Sequence, residues 1–404
     1  MSIAWQNVSL GEICTTQYGL SVAASEDGTT PILGMRNLQE GRVVLEGLSR
    51  ACVADSEIES CCLGVGDLLF NRTNSSDLVG KTALVEEPFS EKTVFASYLL
   101  RLRVDESFAI PGYVNHFLNS PESEKRLKNM ATPGVSQFNI NATSLRNHFR
   151  ILLPSLAEQR RIVSVLDQWD SGIQQLSCLL NAKFGLKQGL MEQMLSGANR
   201  FRNFKDEWCS ARLSDVTEEC NERNRGRLGL ESVMAVTKAD GIVPMRERTV
   251  GASIDRYLVV QKNCFAYNPM RINIGSIARW QGDNDILVSP DYVVFRCKEE
   301  TKDFPGLDSD FLDHFRRSKL WEKFVMATGN GSVRIRIYYS ELSRLKLKLP
   351  SLAEQKKIAE LLNAMDREID LLRKQLDLLK LQKKGLMQKL LTGQVRVKLP
   401  KGAK

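Results

Sequence analysis

The sequence predicts an α+β chain: two related globular domains, joined by two long helices that pair as an antiparallel coiled coil and relate the domains by a pseudo-twofold axis. Three observations predict it. The heptapeptide LPSLAEQ occurs twice, at Leu153–Gln159 and Leu349–Gln355. Each copy opens a stretch whose apolar residues recur at alternating steps of four and three. The segments preceding each copy are weaker copies of one another.

The helical repeats are the clearest elements. After the heptapeptide, Ile162, Leu166, Asp170 and Ile173 match Ile358, Leu362, Asp366 and Ile369 without a gap, and KQGLMEQMLSG (Lys187–Gly197) matches KKGLMQKLLTG (Lys383–Gly393). Ser155 and Ser351 suit the N-cap, with Glu158 and Glu354 at capping-box spacing. Gly197 and Gly393 sit where a left-handed C-terminal stop belongs. The expected seam uses Ile162, Leu166, Trp169, Ile173, Leu176 and Leu180 in the first copy. In the second it uses Ile358, Leu362, Met365, Ile369, Leu372 and Leu376. Lys187 and Lys383 interrupt the seam at equivalent places; of the two readings, fixing register or snorkelling outward, snorkelling is favoured. A helix of about 40 residues is roughly 60 Å long, more than one turn of B-DNA.

The globular halves match segment by segment. WQNVSLGEI (Trp5–Ile13) parallels WCSARLSDV (Trp208–Val216), and SYLLRLRVDE (Ser97–Glu106) parallels DYVVFRCKEE (Asp291–Glu300). GYVNHFLNS (Gly112–Ser120) parallels DFLDHFRRS (Asp310–Ser318), and MATPGVSQFNI (Met130–Ile140) parallels MATGNGSVRIRI (Met326–Ile337). Alternating runs such as YLLRLRV read as strands, short amphipathic runs as helices, and Gly and Asn as turns. The expected domains are 1–152, a helix over 153–199, a second domain over 200–348, a second helix over 349–397, and a basic tail, 398–404. Outside the shared frame the halves differ strongly, which suits two scaffolds that recognise different things.

Composition narrows the function classes. Of 404 residues, 43% are apolar, enough for ordinary cores, and the net charge of +8 permits a polyanionic partner without demanding one. Nine cysteines, with no C-x-x-C spacing, read as reduced thiols of a cytoplasmic protein, with neither a disulfide framework nor a zinc site. The first residues lack the basic-then-apolar pattern of a secretion signal, and no run of about 18 apolar residues suggests a membrane span.

With two such helices at this spacing, the chain resembles the specificity subunits of type I restriction–modification systems. The P-S-L-A-E-Q opening and the GLM-x-x-L-L-[ST]-G close carry the resemblance, which covers essentially the whole chain. It implies that each half is a target recognition domain for one part of a bipartite, asymmetric DNA site. It implies that the coiled coil acts as a ruler for the spacer and docks methyltransferase subunits, expected to number two. Adenine methylation from S-adenosylmethionine would belong to those subunits, and ATP- and Mg-dependent translocation and cleavage to a restriction subunit. No cofactor is expected on this chain, and no membrane.

Reading bases in duplex DNA calls for Arg against guanine and for Asn or Gln against adenine, while phosphate contacts only position the protein. The first half offers Arg36, Asn37, Arg72, Asn74, Lys81, Ser136, Gln137 and Asn139; the second offers Lys238, Arg271, Asn273, Asn330, Arg334 and Arg336. The alternation Arg334-Ile335-Arg336-Ile337 predicts a strand with one basic and one buried face.

Other signals are set aside. Pro290-Asp291 with Glu300-x-Lys302 loosely outlines a metal-dependent nuclease motif, but KEETKDF reads as a turn. Asn268-Pro-Met-Arg lacks the second Pro and the aromatic residue of an adenine methyltransferase motif. His116 and His314 are expected to pack or to sit on a helix surface, with no ligand partner at metal spacing in the sequence, and Trp5 and Trp208 to anchor cores. No catalytic residue and no metal ligand is assigned. An enzyme in its own right is disfavoured because a P-loop and a cofactor glycine motif are both missing. A coiled-coil adaptor with protein-binding heads is the remaining alternative, separable by salt-dependent DNA binding.

Overall fold

The structure is a computed structural model, and it describes residues 5–134, 137–245, 253–328 and 336–399. The chain is α+β and divides into two compact units: residues 1–177 with 374–404, and residues 178–373. The division cuts through the long helices, so each unit holds one globular domain, the start of one helix and the end of the other.

In the first unit a six-stranded sheet runs in the order Cys14–Tyr18, Leu99–Val104, Leu68–Asn71, Thr82–Leu84, Arg42–Val43, Leu38–Gln39. Its strongest strand, Leu99–Val104, pairs antiparallel on both sides, with Leu100 opposite Tyr18 and Phe70. Leu68, Phe70, Leu100 and Leu102 are buried and pack under the helix Pro111–Leu118 through Tyr113, Val114 and Phe117. A separate two-stranded ladder, Gln6–Ser9 with Arg150–Leu153, clamps the entry of the domain to its exit. The chain then passes from Leu153 into the helix Leu156–Ser196 with its direction already fixed.

The second unit repeats the frame with fewer strands. Its sheet runs Thr217–Glu219, Val293–Cys297, Phe265–Tyr267, Ile277–Arg279. Phe265 and Phe295 stack at 5.2 Å between centroids, at the centre of its core. The ladder Cys209–Arg212 with Lys346–Leu349 closes this domain before the helix Leu352–Leu391. The hairpin Met234–Thr237/Gly241–Pro244 forms its own two-stranded sheet here. In the first unit the strand Arg42–Val43 instead pairs with Thr82–Leu84.

Within each unit the two long-helix segments run antiparallel. In the first, Glu158 meets Arg396 and Asp170 meets Lys383; in the second, Lys187 meets Asp366 and Arg200 meets Glu354. Ile162 and Leu166 join the core of the first domain together with Met387, Leu390 and Leu391, and Ile358 and Leu362 join the second with Met191, Met194 and Leu195. The helix ends are thus built into the domains. Farther along, Ile369 and Leu376 are buried, and Trp169, Ile173, Leu176, Leu180, Met365 and Leu372 are half-buried.

The structure corrects three details. Lys187 and Lys383 do not snorkel: each ammonium meets an aspartate of the facing helix, Asp366 and Asp170. The capping box is half formed. Ser155 and Ser351 accept from the Glu158 and Glu354 N–H groups at 3.4 Å, but the two carboxylates are taken by arginines. Arg336 and Ile337 lie in irregular chain, because Ile337 donates its N–H to the Pro269 carbonyl of a loop (3.1 Å) and joins no ladder; Arg336 is exposed and Ile337 buried all the same. Both helices stop at glycines with positive φ, Gly197 (77°) and Gly393 (74°), as the stop signal predicts. All nine cysteines are free.

Candidate nucleic-acid interface

The PSLAEQ segment owes its form to packing. Gln159 is fully buried: its Oε1 accepts from Ile110 N–H at 2.9 Å, and its Nε2 donates to the carbonyls of Pro154 (3.0 Å) and Phe108 (3.2 Å). Gln355 repeats the pattern with Asp308 N–H, Pro350 and Gly306. Glu158 receives the Arg396 guanidinium on both oxygens (2.5 and 2.6 Å) and the Trp5 indole N–H at 3.3 Å. Glu354 holds Arg200 the same way at 3.0 and 2.8 Å. Trp5 and Trp208 pack against Gly393 and Gly197, so both act as anchors. These groups tie each domain to its helix.

On that frame the polar loops take defined places. In the first unit Thr73–Asn74 pairs with Phe138–Asn139, which pairs with Thr132–Pro133. Ile140 N–H donates to the Arg72 carbonyl at 2.8 Å. Arg72, Asn74, Gln137 and Asn139 are therefore brought together at one end of the central strands. The Asn139 amide oxygen accepts from Thr73 Oγ1 (3.0 Å), and that of Asn74 from Ser75 N–H (2.8 Å). Lys81 stands apart, neutralised by Glu124. Arg36 is exposed on the turn Met35–Asn37 and donates to Ser49 Oγ at 3.1 Å. Asn37 is buried, its oxygen accepting from Gly34 N–H (3.0 Å) and its nitrogen donating to the Val44 carbonyl (2.9 Å), so it shapes that turn. Ser136 lies outside the described residues.

In the second unit Arg271, Asn273 and Arg336 gather about the loop Asn268–Gly275, since the Ile337–Pro269 bond matches the Ile140–Arg72 bond of the first unit. Lys238 lays its methylenes over Gly275 and, with Asn273, lines a cleft of about 780 Å³. Arg316 and Arg317 also line it; neither stood out in the sequence, because both read as helix-end charges. Asp313 carries both guanidiniums (2.7 and 3.0 Å): burial works to raise its carboxyl, but Arg316 and Arg317 hold it below the usual carboxylate range. Arg271, Lys238 and Arg336 have no carboxylate partner among the described residues. Asn330 and Arg334 lie outside the described residues.

The paired histidines pack as expected and find helix partners that linear spacing could not reveal: His116 Nε2 lies 2.8 Å from Asp167, and His314 Nε2 lies 2.8 Å from Asn363. His116, Asp167 and Asp170 bring ligand-type atoms within 4.8 Å of one another. The Lys383 ammonium already rests on Asp170 there, so the group carries its own cation. Tyr18 and Tyr98, both about half exposed, flank Arg72; the sequence singled out neither as a contact residue.

Comparison with known proteins accords with this architecture. A family model described as the type I restriction modification DNA specificity domain matches residues 3–181 and 270–381. The MjaX type I restriction enzyme specificity subunit of Methanocaldococcus jannaschii is 26% identical, over 98% of this chain and 94% of that one. The S subunit of a type I restriction–modification system from M. genitalium shares the fold, with a TM-score of 0.56 at 14% identity over 96% of both chains. A chain from a type I R-M system solved for its complex assembly and conformational transition gives 0.59 at 17% identity, over 97% of this chain and 98% of that one. With the family model covering well over half of its residues, the chain belongs to the type I restriction modification DNA specificity family.

Proposed function

We propose that each globular unit reads one part of a bipartite, asymmetric DNA site, while the paired helices set the spacer and dock methyltransferase subunits. The carrying observation is duplication of the frame with divergence of the presented side chains. The same loop-tying bond recurs at Ile140–Arg72 and Ile337–Pro269, yet Arg72 faces a proline counterpart and Asn139 an arginine, Arg336. Two related scaffolds carrying unequal donors and acceptors suit two different base sequences.

In this reading the chain is a recognition subunit without a catalytic step of its own. Two methyltransferase subunits supply adenine methylation from S-adenosylmethionine, and a restriction/translocase subunit supplies ATP- and Mg-dependent cleavage. The readers are drawn from Arg36, Arg72, Asn74, Gln137 and Asn139 in the first unit, and from Lys238, Arg271, Asn273 and Arg336 in the second. Action alongside DNA in the cytoplasm belongs to this reading. Sequencing native DNA from cells expressing the chain with its partner subunits, and from cells lacking it, tests the proposal. Methylated adenines should vanish from one interrupted asymmetric motif; an unchanged methylation pattern would favour the adaptor alternative.

A further inference from the structure

The geometry points to Arg72, held by Tyr18, as the residue that reads a guanine in the half-site of the first unit; this rests on the reading of that unit as a DNA-recognition domain. The ladder of Leu68–Asn71 with Leu99–Val104 ends at Asn71 opposite Leu99, so Arg72 follows it directly, while Tyr18 stands opposite Leu100 on the other side of the central strand. Arg72 N–H donates to the Tyr98 carbonyl at 3.1 Å, and Ile140 N–H fixes the Arg72 carbonyl, so the backbone is held on both sides. The guanidinium lies over the Tyr18 ring, 4.9 Å from its centroid.

The Arg72 guanidinium has no carboxylate partner among the described residues; Arg126, over the Phe149 ring at 4.3 Å, and Arg36, on Ser49 Oγ, are held likewise, but only Arg72 of the three has a buried Nε without a partner. Arg42, Arg50, Arg101 and Arg103 of the same unit all meet carboxylates. Arg72 meets an aromatic face and one long contact to the Ser97 carbonyl (3.4 Å), its Nε is buried without a partner, and its Nη2 has none among the described residues. A cation held by a ring and not by a carboxylate keeps its terminal N–H fork for an outside acceptor. Asn74, Gln137 and Asn139 beside it are neutral amides, which suit base edges better than a phosphate-binding cluster would. The acceptor pair that fits an arginine fork in the major groove is guanine O6 and N7. The second unit has Pro269 at the matching position and cannot repeat this contact.

The test uses the full chain assembled with its methyltransferase partners, on duplexes carrying the methylated motif and on its single-position variants. Arg72→Gln should weaken binding to the intact motif about 5- to 150-fold. The loss should disappear when one G·C pair of the first half-site is replaced, with preferences elsewhere and the salt dependence unchanged. Tyr18→Leu should relax the same position in part, and Tyr18→Phe should not. A uniform loss on all sequences with a salt slope reduced by about one would mean a phosphate contact and overturn the assignment. So would unchanged preference in either Arg72→Gln or Tyr18→Leu. If the unsubstituted complex itself shows no sequence preference, the recognition reading fails and this assignment with it.

Discussion

Gln159 and Glu158 show at the scale of single residues why a short motif recurs in a chain whose halves otherwise diverge. Gln159 pairs with one backbone donor, Ile110 N–H, and two backbone acceptors, the carbonyls of Phe108 and Pro154, where the chain enters the helices Pro111–Leu118 and Leu156–Ser196. Gln159→Leu keeps the volume and strands all three, and each buried unpaired group costs about 1–3 kcal/mol. Urea unfolding should show a loss of about 3 kcal/mol; a loss under 1 kcal/mol would mean that water replaces the amide. His314 gives a pH-dependent prediction. Burial lowers its pKa from 6.5, with Lys187 and Arg317 adding to the effect while Asn363 and Asp366 oppose it. The folded chain then binds fewer protons than the unfolded one, so stability rises with pH. The contribution is present above pH 6.5 and is lost as the pH falls through that value toward the lowered one. His314→Gln should flatten the wild-type decline below pH 6.5 in urea titrations, and parallel curves would refute it.

Among the elements, the two long helices were the most legible in sequence, since a 3.5-residue repeat and matching stop glycines report directly on local geometry. The fate of Lys187 and Lys383 was less so, because an ion pair depends on which face meets which. Lys187 is 8% exposed and bound to Asp366. Lys187→Met alone leaves that aspartate without its ammonium partner, whereas Lys187→Met with Asp366→Leu replaces the pair by apolar contacts. The single variant should be the less stable, and the double should recover most of the loss; equal losses in both would show that the pair itself stabilises the helices. Inserting one heptad into the middle of one helix, with its match in the other, should lengthen the accepted DNA spacer and leave both half-site sequences unchanged. An altered half-site in the methylated motif would contradict the ruler. The strand expected at Arg334–Ile337 failed where described because a loop carbonyl, that of Pro269, claims the Ile337 N–H. Alternation alone could not foresee that acceptor.

For the whole molecule, duplication was plain in the sequence, and with it the α+β class and the two long helices. The reading surface was legible only as loops rich in Arg, Asn and Gln. Asn37 illustrates the limit: its type suits adenine, yet tertiary contacts spend its amide on Gly34 and Val44. Arg72 and Tyr18 are 54 positions apart and meet only through strand register. The central claim is that the two units recognise independently on a common frame. The most direct measurement is the methylated motif written by a chimera in which residues 1–152 are replaced by the corresponding domain of a relative with a different target. The account predicts a motif with one half-site exchanged, the other half-site and the spacer intact. A motif altered in both half-sites, or in neither, would contradict it.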